Sequence, residues 1–423
     1  MSSIHQNYGS YQTTTLGVIV LATLLFVLSL LPPLLTVVFL VTLTAGITVV
    51  TYRLQNYLLM VFLVAFLLRL LIIAFDSVVR ILPTPSVAPD HNQWAIELAT
   101  VWTNGQLFAM VGEITYMRGL MAHILAPFYI VIGHSPISGR VGIACISLII
   151  GYLIFNLACY VTDYQTSVFV ALVVLFWPTI VYRSVVIQRE IIVTVALLAF
   201  LWTVVQWLDS ITPRTLMTAL LTVTVVFVLR AENILLIAVV IGTFGLIKSR
   251  QNPAYLAGFG LLSIPLLLYF AMNFSQITGH GSTLSPSSID TFAHARAHGN
   301  AAYLTGLHYN SWIDIVIYMP AKIMYFLFTP FPWQIRGIVE LLVGISALAL
   351  ISATLLARRG FAALQRRPHY LTLLLSYLLT GIVTYSIIEM NYGAAVRRRI
   401  QFIPIILLLA VIGLSKLQIE IRW

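Results

Sequence analysis

The chain has 423 residues, 60% of them hydrophobic and only 9% charged, with a mean hydropathy of +0.98. Soluble domains are roughly half apolar and about a quarter charged, so the composition excludes a soluble globular protein and points to an integral membrane protein. The net charge of +10 is scattered between apolar runs and forms no basic domain. That excludes nucleic acid as a partner and fits a membrane surface carrying anionic lipid.

In chain order, the polar start MSSIHQNYGSYQTTT lacks the basic region of a cleaved signal, so the first apolar run reads as a retained helix. Apolar runs of about 17 to 25 residues recur, each able to cross about 30 Å of hydrocarbon as a helix. Spanning helices are predicted near 15–31, 34–51, 56–75, 138–160, 165–182, 190–208, 215–230, 232–248, 254–273, 336–357, 369–388 and 400–417, about twelve in all. The expected fold class is therefore all-α integral membrane, a single polytopic domain over residues 1–423. Two longer polar segments, 76–137 and 274–335, carry shorter amphipathic helices after the third and ninth spans. Cys145 and Cys159 fall on one predicted helix and are not expected to bridge. No repeat of fixed period appears.

Short loops rich in Lys and Arg belong on the cytoplasmic side. Arg53, Arg214, Lys248, Arg250, Arg358, Arg359, Arg366, Arg367, Lys416 and Arg422 then share one face, with ARRGFAALQRRPHY as the firmest anchor. Both termini become cytoplasmic. Ten of the thirteen acids, Asp76, Asp90, Glu97, Glu113, Glu190, Glu232, Asp290, Asp314, Glu340 and Glu389, then lie on the external side. Longer external loops account for some of this gathering, but several of these acids sit at helix ends. The run SWIDIVIYMPAKIMYFLF (311–328) is long enough to span, yet counting it as a span would move the RRGFAALQRR loop outside. It is therefore placed at the outer interface, where Asp314, Pro320 and Lys322 are tolerable.

With twelve spans, Arg397, Arg398 and Arg399 of NYGAAVRRRIQFIP lie at the outer end of the last helix, against the positive-inside tendency. Boundary charges are functional candidates, and guanidinium groups bind phosphate bidentately without losing their charge. An anionic lipid head group is the simplest partner, with ordinary snorkelling to phospholipid the alternative. In LPTPSVAPDHNQWAIELATVWTNG, Asp90 can cap an amphipathic helix, and Glu97 lies two turns on along the same face. Arg230 and Glu232 flank an outer turn and can pair with one another or meet substrate. His294 and His298 have a spacing that suits a metal, but no third ligand or zinc motif is evident, so no metal or other cofactor is expected. Arg296, in the same loop, can touch negative charge. Trp333 in TPFPWQ suits interface packing.

An early acid in a large first external loop resembles the membrane-embedded C-type glycosyltransferases that use polyprenyl-phosphate sugars, including protein O-mannosyltransferases and aminoarabinose transferases. HILAPFYIVIGHSPISGRVGIACISLIIGYLIF resembles the passage that follows that loop, and FWPTIVYRSVVIQREIIVTVALL the outward helix and acid-led inward helix. YFLFTPFPWQ and NYGAAVRRRIQFIP are similar to late external elements of family-39-like members. The resemblance spans residues 76 to 404. It departs from the family in having three helices before the acidic loop, PDH where an Asp-Glu dipeptide is usual, and no large soluble external domain after the last helices.

The resemblance implies inverting transfer of a sugar from a polyprenyl-monophosphate donor to a glycan, lipid or protein acceptor on the external face. Asp90 would be the general base, with His91 and Glu97 beside it. Glu190, next to Arg189, would be the second acid, although the helix dipole alone also favours a Glu there. The arginine cluster would meet the departing phosphate. A polymerase or ligase acting on diphosphate-linked glycans is the enzymatic alternative. A transporter or flippase is a further alternative, against which stand the absence of repeats and the crowding of charge at one boundary.

Overall fold

The structure is a computed structural model that describes residues 32–53, 56–83, 88–106, 117–278 and 284–421. The first predicted span, 15–31, and Glu113 lie outside the described residues. Among the described residues the chain is all-helical, as expected; an isolated antiparallel bridge, Ala302 to Asn391, is its one β contact. The helices, in order, are α1 (Pro33–Arg53), α2 (Tyr57–Val79), α3 (Ala88–Thr103), α4 (Met117–Ile132), α5 (Pro136–Cys159), α6 (Tyr164–Leu175), α7 (Pro178–Ser184), α8 (Glu190–Gln206) and α9 (Pro213–Leu229). They continue as α10 (Ile234–Ser249), α11 (Ala254–Met272), α12 (Phe274–Thr278), α13 (Pro286–His294), α14 (Trp312–Phe328), α15 (Ile338–Leu364), α16 (Pro368–Ile388), α17 (Tyr392–Arg399) and α18 (Ile403–Ile421).

Among the described residues, six helices are long and apolar enough to cross a membrane, or up to eight if each of two bent pairs is one span. Of the other expected spans, 15–31 lies outside the described residues, and Pro33–Val49, Glu190–Gln206 and Pro213–Leu229 are apolar but shorter. Glu190–Gln206 and Pro213–Leu229 each run 17 residues, about 25 Å at about 1.5 Å per residue.

Two predicted single helices are broken. The expected 165–182 helix bends by 60° between α6 and α7, where Pro178 opens the second piece at the position proline favours. The expected 400–417 helix starts later, at Ile403, and a 62° bend separates it from the short α17 that carries the three arginines. Conversely, the predicted loop from Arg358 is helical through Leu364, so α15 runs 27 residues with Arg358 and Arg359 inside it. The run after Ser311 is a helix, α14, started by a reciprocal pair of hydrogen bonds between Ser311 and Asp314.

The chain divides into two compact units, each described by itself. Among the described residues, the first holds 32–53, 66–83, 88–106, 117–145 and 185–187, and the second holds 56–65, 146–184, 188–278 and 284–421. In the first, α3 packs on α4, and Val37, Leu70, Ile73, Ile132, Val141, Ala144 and Val185 form a buried apolar cluster. Asp76 and Arg140 pair there at 2.9 Å. The Asp76 carboxylate also accepts from the Leu82 amide at 2.7 Å, holding the chain as it leaves α2.

In the second unit α8 is buried on nearly every side, as a helix apolar all round must be. It packs against α9 and α16, while α10 packs on α11 and α16. By contrast α11 buries only Ser263 and Phe270, so its apolar surface suits lipid contact. The α15 and α18 helices approach at small residues: an added Cβ at Gly360 would overlap the Leu409 carbonyl, and one at Gly413 would overlap the Leu356 carbonyl. Close backbone approach at small residues is how helices associate where lipid removes the hydrophobic drive. Gly360→Leu should therefore force the pair apart and cost ~1–3 kcal/mol. Thermal unfolding in detergent should show a clear loss, whereas Gly258→Leu, at a position with nothing within 4 Å, should leave the midpoint nearly unchanged.

Candidate functional site

Five links and helix ends of the second unit deliver charge to one place. Arg183, Arg189 and Glu190 come from the α7–α8 link, Arg230 and Glu232 from the α9–α10 link, and Arg296 from the turn after α13. Glu389 follows α16, and Arg397 to Arg399 close α17. The last group owes its position to Asn391, which caps α17 by accepting from the Gly393 and Ala394 amides. Asn391 also donates to the His298 carbonyl at 3.1 Å, and Tyr303 N donates to Met390 O at 2.9 Å. The loop that follows α13 is thereby fastened to the strand-like approach to α17.

The centre is a shared arrangement of two acids and two arginines. Glu389 Oε1 accepts from Arg296 Nη1 and lies 2.8 Å from Arg398 Nη1. Glu232 Oε1 lies 3.4 Å from Arg296 Nη2 and 3.7 Å from Arg398 Nη2. Arg398 also stacks over the Tyr385 ring, 5.0 Å from its centroid, and the Tyr385 hydroxyl donates to Asn233. Phe292 supports Arg296 in the same way at 3.9 Å. Alongside, Arg230 Nη2 donates to Glu190 Oε1 at 2.6 Å, with both side chains almost wholly buried. Glu190 also lies in the fields of Arg189, Arg397 and Arg183. Arg183 donates to Gln188 and lies 4.7 Å from the Tyr182 ring centroid.

Three carboxylates thus face six guanidinium groups, of which Arg183, Arg230 and Arg398 are buried and Arg189, Arg296 and Arg397 half-buried, leaving an excess of positive charge. Several donors are also left over: Arg230 Nε and Nη1 and Arg183 Nε are buried and make no hydrogen bond to the described residues. Burial would lower the Arg230 pKa, but the adjoining Glu190 carboxylate outweighs it and raises the value above the ordinary arginine range. Arg189, which donates to the Leu229 carbonyl, is lowered to about 10, chiefly by burial. Both stay cationic at neutral pH, so the cluster is a fixed positive field of the kind that holds an anion.

The three consecutive arginines separate by role, because successive residues of a helix point about 100° apart. Arg398 enters the shared carboxylates. Arg399, fully buried, donates to the carbonyls of Leu327 and Thr329 at 2.6 and 2.5 Å and so closes the end of α14. Arg397 is half-buried, with no hydrogen bond or ion pair of its own to the described residues, and acts on Glu190 and Arg183 only through its field.

Asp90, His91 and Glu97 belong to the first unit. Asp90 sits in the first turn of α3, inside the helix rather than at its cap as expected, and is half-exposed. His91 is buried, and Glu97 is exposed and accepts from Gln93 at 3.0 Å. Ala88, Pro89 and Asn92 of the same helix line a cavity of about 280 Å³, with the Asp76–Arg140 pair on its wall.

Arg230 and Glu232, read as able to pair with one another or to meet substrate, do not pair directly: Arg230 bonds Glu190, forty residues away in sequence, and Glu232 lies near Arg296 and Arg398. Glu389 and Arg183 were not foreseen as site residues; the only sequence signal for Glu389 is an acid closing an apolar run eight residues before the arginines. The third metal-type ligand missing from the sequence reading is supplied by folding, as Asp290, His294 and His308 bring ligand atoms within 4.8 Å of one another. His298 is not among them. The Asp290 carboxylate also accepts from the Tyr309 amide at 2.9 Å, and the two imidazoles stack at 4.4 Å.

No protein-family model, curated protein or solved structure matches this chain.

Glu389→Gln should be severely destabilising, because it leaves Arg296 and Arg398 short of a buried partner; removing one member of such a network costs ~3–5 kcal/mol. Thermal unfolding of the purified protein would register this against Glu97→Gln, an exposed change expected to stay within ~0.5 kcal/mol of wild type.

Proposed function

We propose that this chain is a glycosyltransferase that moves a sugar from a polyprenyl-monophosphate donor to an acceptor hydroxyl. The observation that carries this reading is the excess of guanidinium groups, three buried and three half-buried, around Glu190, Glu232 and Glu389, with buried Arg230 and Arg183 donors left over. A phosphate leaving an anomeric carbon gains charge, and preorganised cations in a site of low dielectric favour that gain. The resemblance of residues 76 to 404 to C-type glycosyltransferases supplies the reaction class.

In this reading the chain crosses the membrane twelve times. Among the described helices α1, α8 and α9 each cross, the bent pairs α6–α7 and α17–α18 count as one span each, and α4 and α14 do not cross; the remaining expected span, 15–31, lies outside the described residues. Both termini are then cytoplasmic, and the arginine cluster and Asp90 face outward, where a polyprenyl-linked sugar is presented. The acceptor oxygen attacks the anomeric carbon as the carbon–oxygen bond to phosphate breaks. The bonding pair goes to the phosphate, the acceptor proton goes to the Asp90 carboxylate, and the anomeric configuration inverts. The cavity lined by Ala88, Pro89 and Asn92 of the helix that carries Asp90 is of a size to hold an acceptor group. Glu190, engaged by Arg230, orients the cation field in place of a proton transfer.

Incubation of the purified protein with a panel of polyprenyl-monophosphate sugars should give turnover, and Asp90→Asn should lower it about 10²- to 10⁴-fold. Unchanged turnover would remove Asp90 from the mechanism. Activity on diphosphate-linked glycans alone would favour a polymerase or ligase. Arg397→Gln is the cleanest probe of the cation field, because that side chain makes no hydrogen bond to the described residues. It should raise the donor KM about tenfold, the scale of one charge-assisted contact.

A further inference from the structure

A second cationic site lies at the other end of the same helices. The α8 and α10 helices begin at Glu190 and just after Glu232, and α16 ends just before Glu389, so one end of these packed helices holds the cluster described above. Their opposite ends, about 25 Å away at about 1.5 Å per residue, bring together Leu208 and Asp209 after α8, Lys248 and Gln251 at the close of α10, and Arg366 to Tyr370 at the start of α16. These residues, with Tyr160, enclose a pocket of about 300 Å³.

The internal bonding of the pocket leaves its strongest cations uncommitted. The one acid on its wall, Asp209, is engaged by the Tyr160 hydroxyl at 2.5 Å, and Lys248 Nζ donates to the Leu208 carbonyl at 2.7 Å and to Gln251 at 3.2 Å. Arg366 and Arg367 have no hydrogen bond or ion pair with a side chain of the described residues, and both face open solvent on one side. Tyr160 stacks on the buried Tyr370 at 5.7 Å, giving the pocket a rigid aromatic wall. Two free guanidinium forks and an ammonium around a space of this size, at the ends of apolar helices, match a phosphate ester at a membrane surface.

We infer that this pocket binds a phosphate ester, presented either as the head group of an anionic glycerophospholipid or as a soluble phosphate. The site is independent of the sugar-transfer reading and stands whether or not that reading holds. The short Lys- and Arg-rich links that build it are those the positive-inside rule assigns to the cytoplasmic face, where anionic lipid is abundant.

The test is the thermal stability of the delipidated, full-length protein in detergent, titrated with phosphatidylglycerol, with phosphatidylcholine, and with glycerol phosphate. Phosphatidylglycerol should raise the midpoint saturably and phosphatidylcholine should not. The double variant Arg366→Gln/Arg367→Gln should need at least about tenfold more phosphatidylglycerol for the same shift, the scale of losing charge-assisted contacts. Arg214→Gln, an exposed arginine that does not line the pocket, should titrate like wild type. Both double-variant side chains are exposed, so the fold should persist; Lys248→Gln provides a second probe with the same expected direction. Competition by glycerol phosphate would assign the site to soluble phosphate esters, and its failure to compete would assign it to lipid; either supports a phosphate site. An unaltered titration in both variants, or no response of wild type to phosphatidylglycerol or glycerol phosphate, would overturn the inference.

Discussion

The second unit is organised around carboxylates that are buried and shared. Glu389, fully buried, serves both Arg296 and Arg398, and Glu232 lies within reach of the same two guanidinium groups. Charges out of water are tolerable only when paired and hydrogen-bonded. The end of α16, the turn after α13 and the close of α17 are therefore held together by the requirement that none of these groups be left alone. The Arg230–Glu190 pair imposes the same condition on the starts of α8 and α10.

That condition also explains why the breaks in the helices fall where they do. A continuous helix through Arg397 to Arg399 would carry the three guanidinium groups along one axis into the apolar layer. The bend after α17 instead lets the last turn of a short helix distribute them in three directions. One meets the acids, one satisfies the carbonyls at the end of α14, and one remains half-buried beside Glu190. The bend between α6 and α7 similarly sets Arg183, in α7, beside Gln188 and within the field of Glu190. With cations outnumbering acids, the arrangement is complete as a scaffold and incomplete in charge, the condition under which an anionic ligand binds.

The two ends of the same helices differ in kind. At one end the charges are buried or half-buried and, Arg397 apart, engaged by hydrogen bonds or ion pairs. At the other, around Lys248, Arg366 and Arg367, they are exposed and only partly engaged. The buried end suits discrimination of a reacting group, because low dielectric magnifies each interaction. The exposed end suits reversible contact with a charged surface, where screening and competition by water keep each contact weak.

Helix existence was legible in the sequence, since an apolar run long enough to cross hydrocarbon has few other stable forms, and most predicted boundaries fall within a few residues of the helices from α1 to α18. The gathering of acids and arginines at helix ends was legible too, as a property of position along each run. Tertiary structure alone decided which charge meets which: Arg230 bonds Glu190 and not the neighbouring Glu232, Glu389 is the most buried acid of the cluster, and His308, not His298, joins Asp290 and His294. It also decided that Arg358 and Arg359 continue a helix and that α17 stands apart from α18. The physical reason is that hydropathy and spacing act within a segment and are written locally. The pairing of buried charges depends on the approach of segments tens to hundreds of residues apart, which packing alone sets.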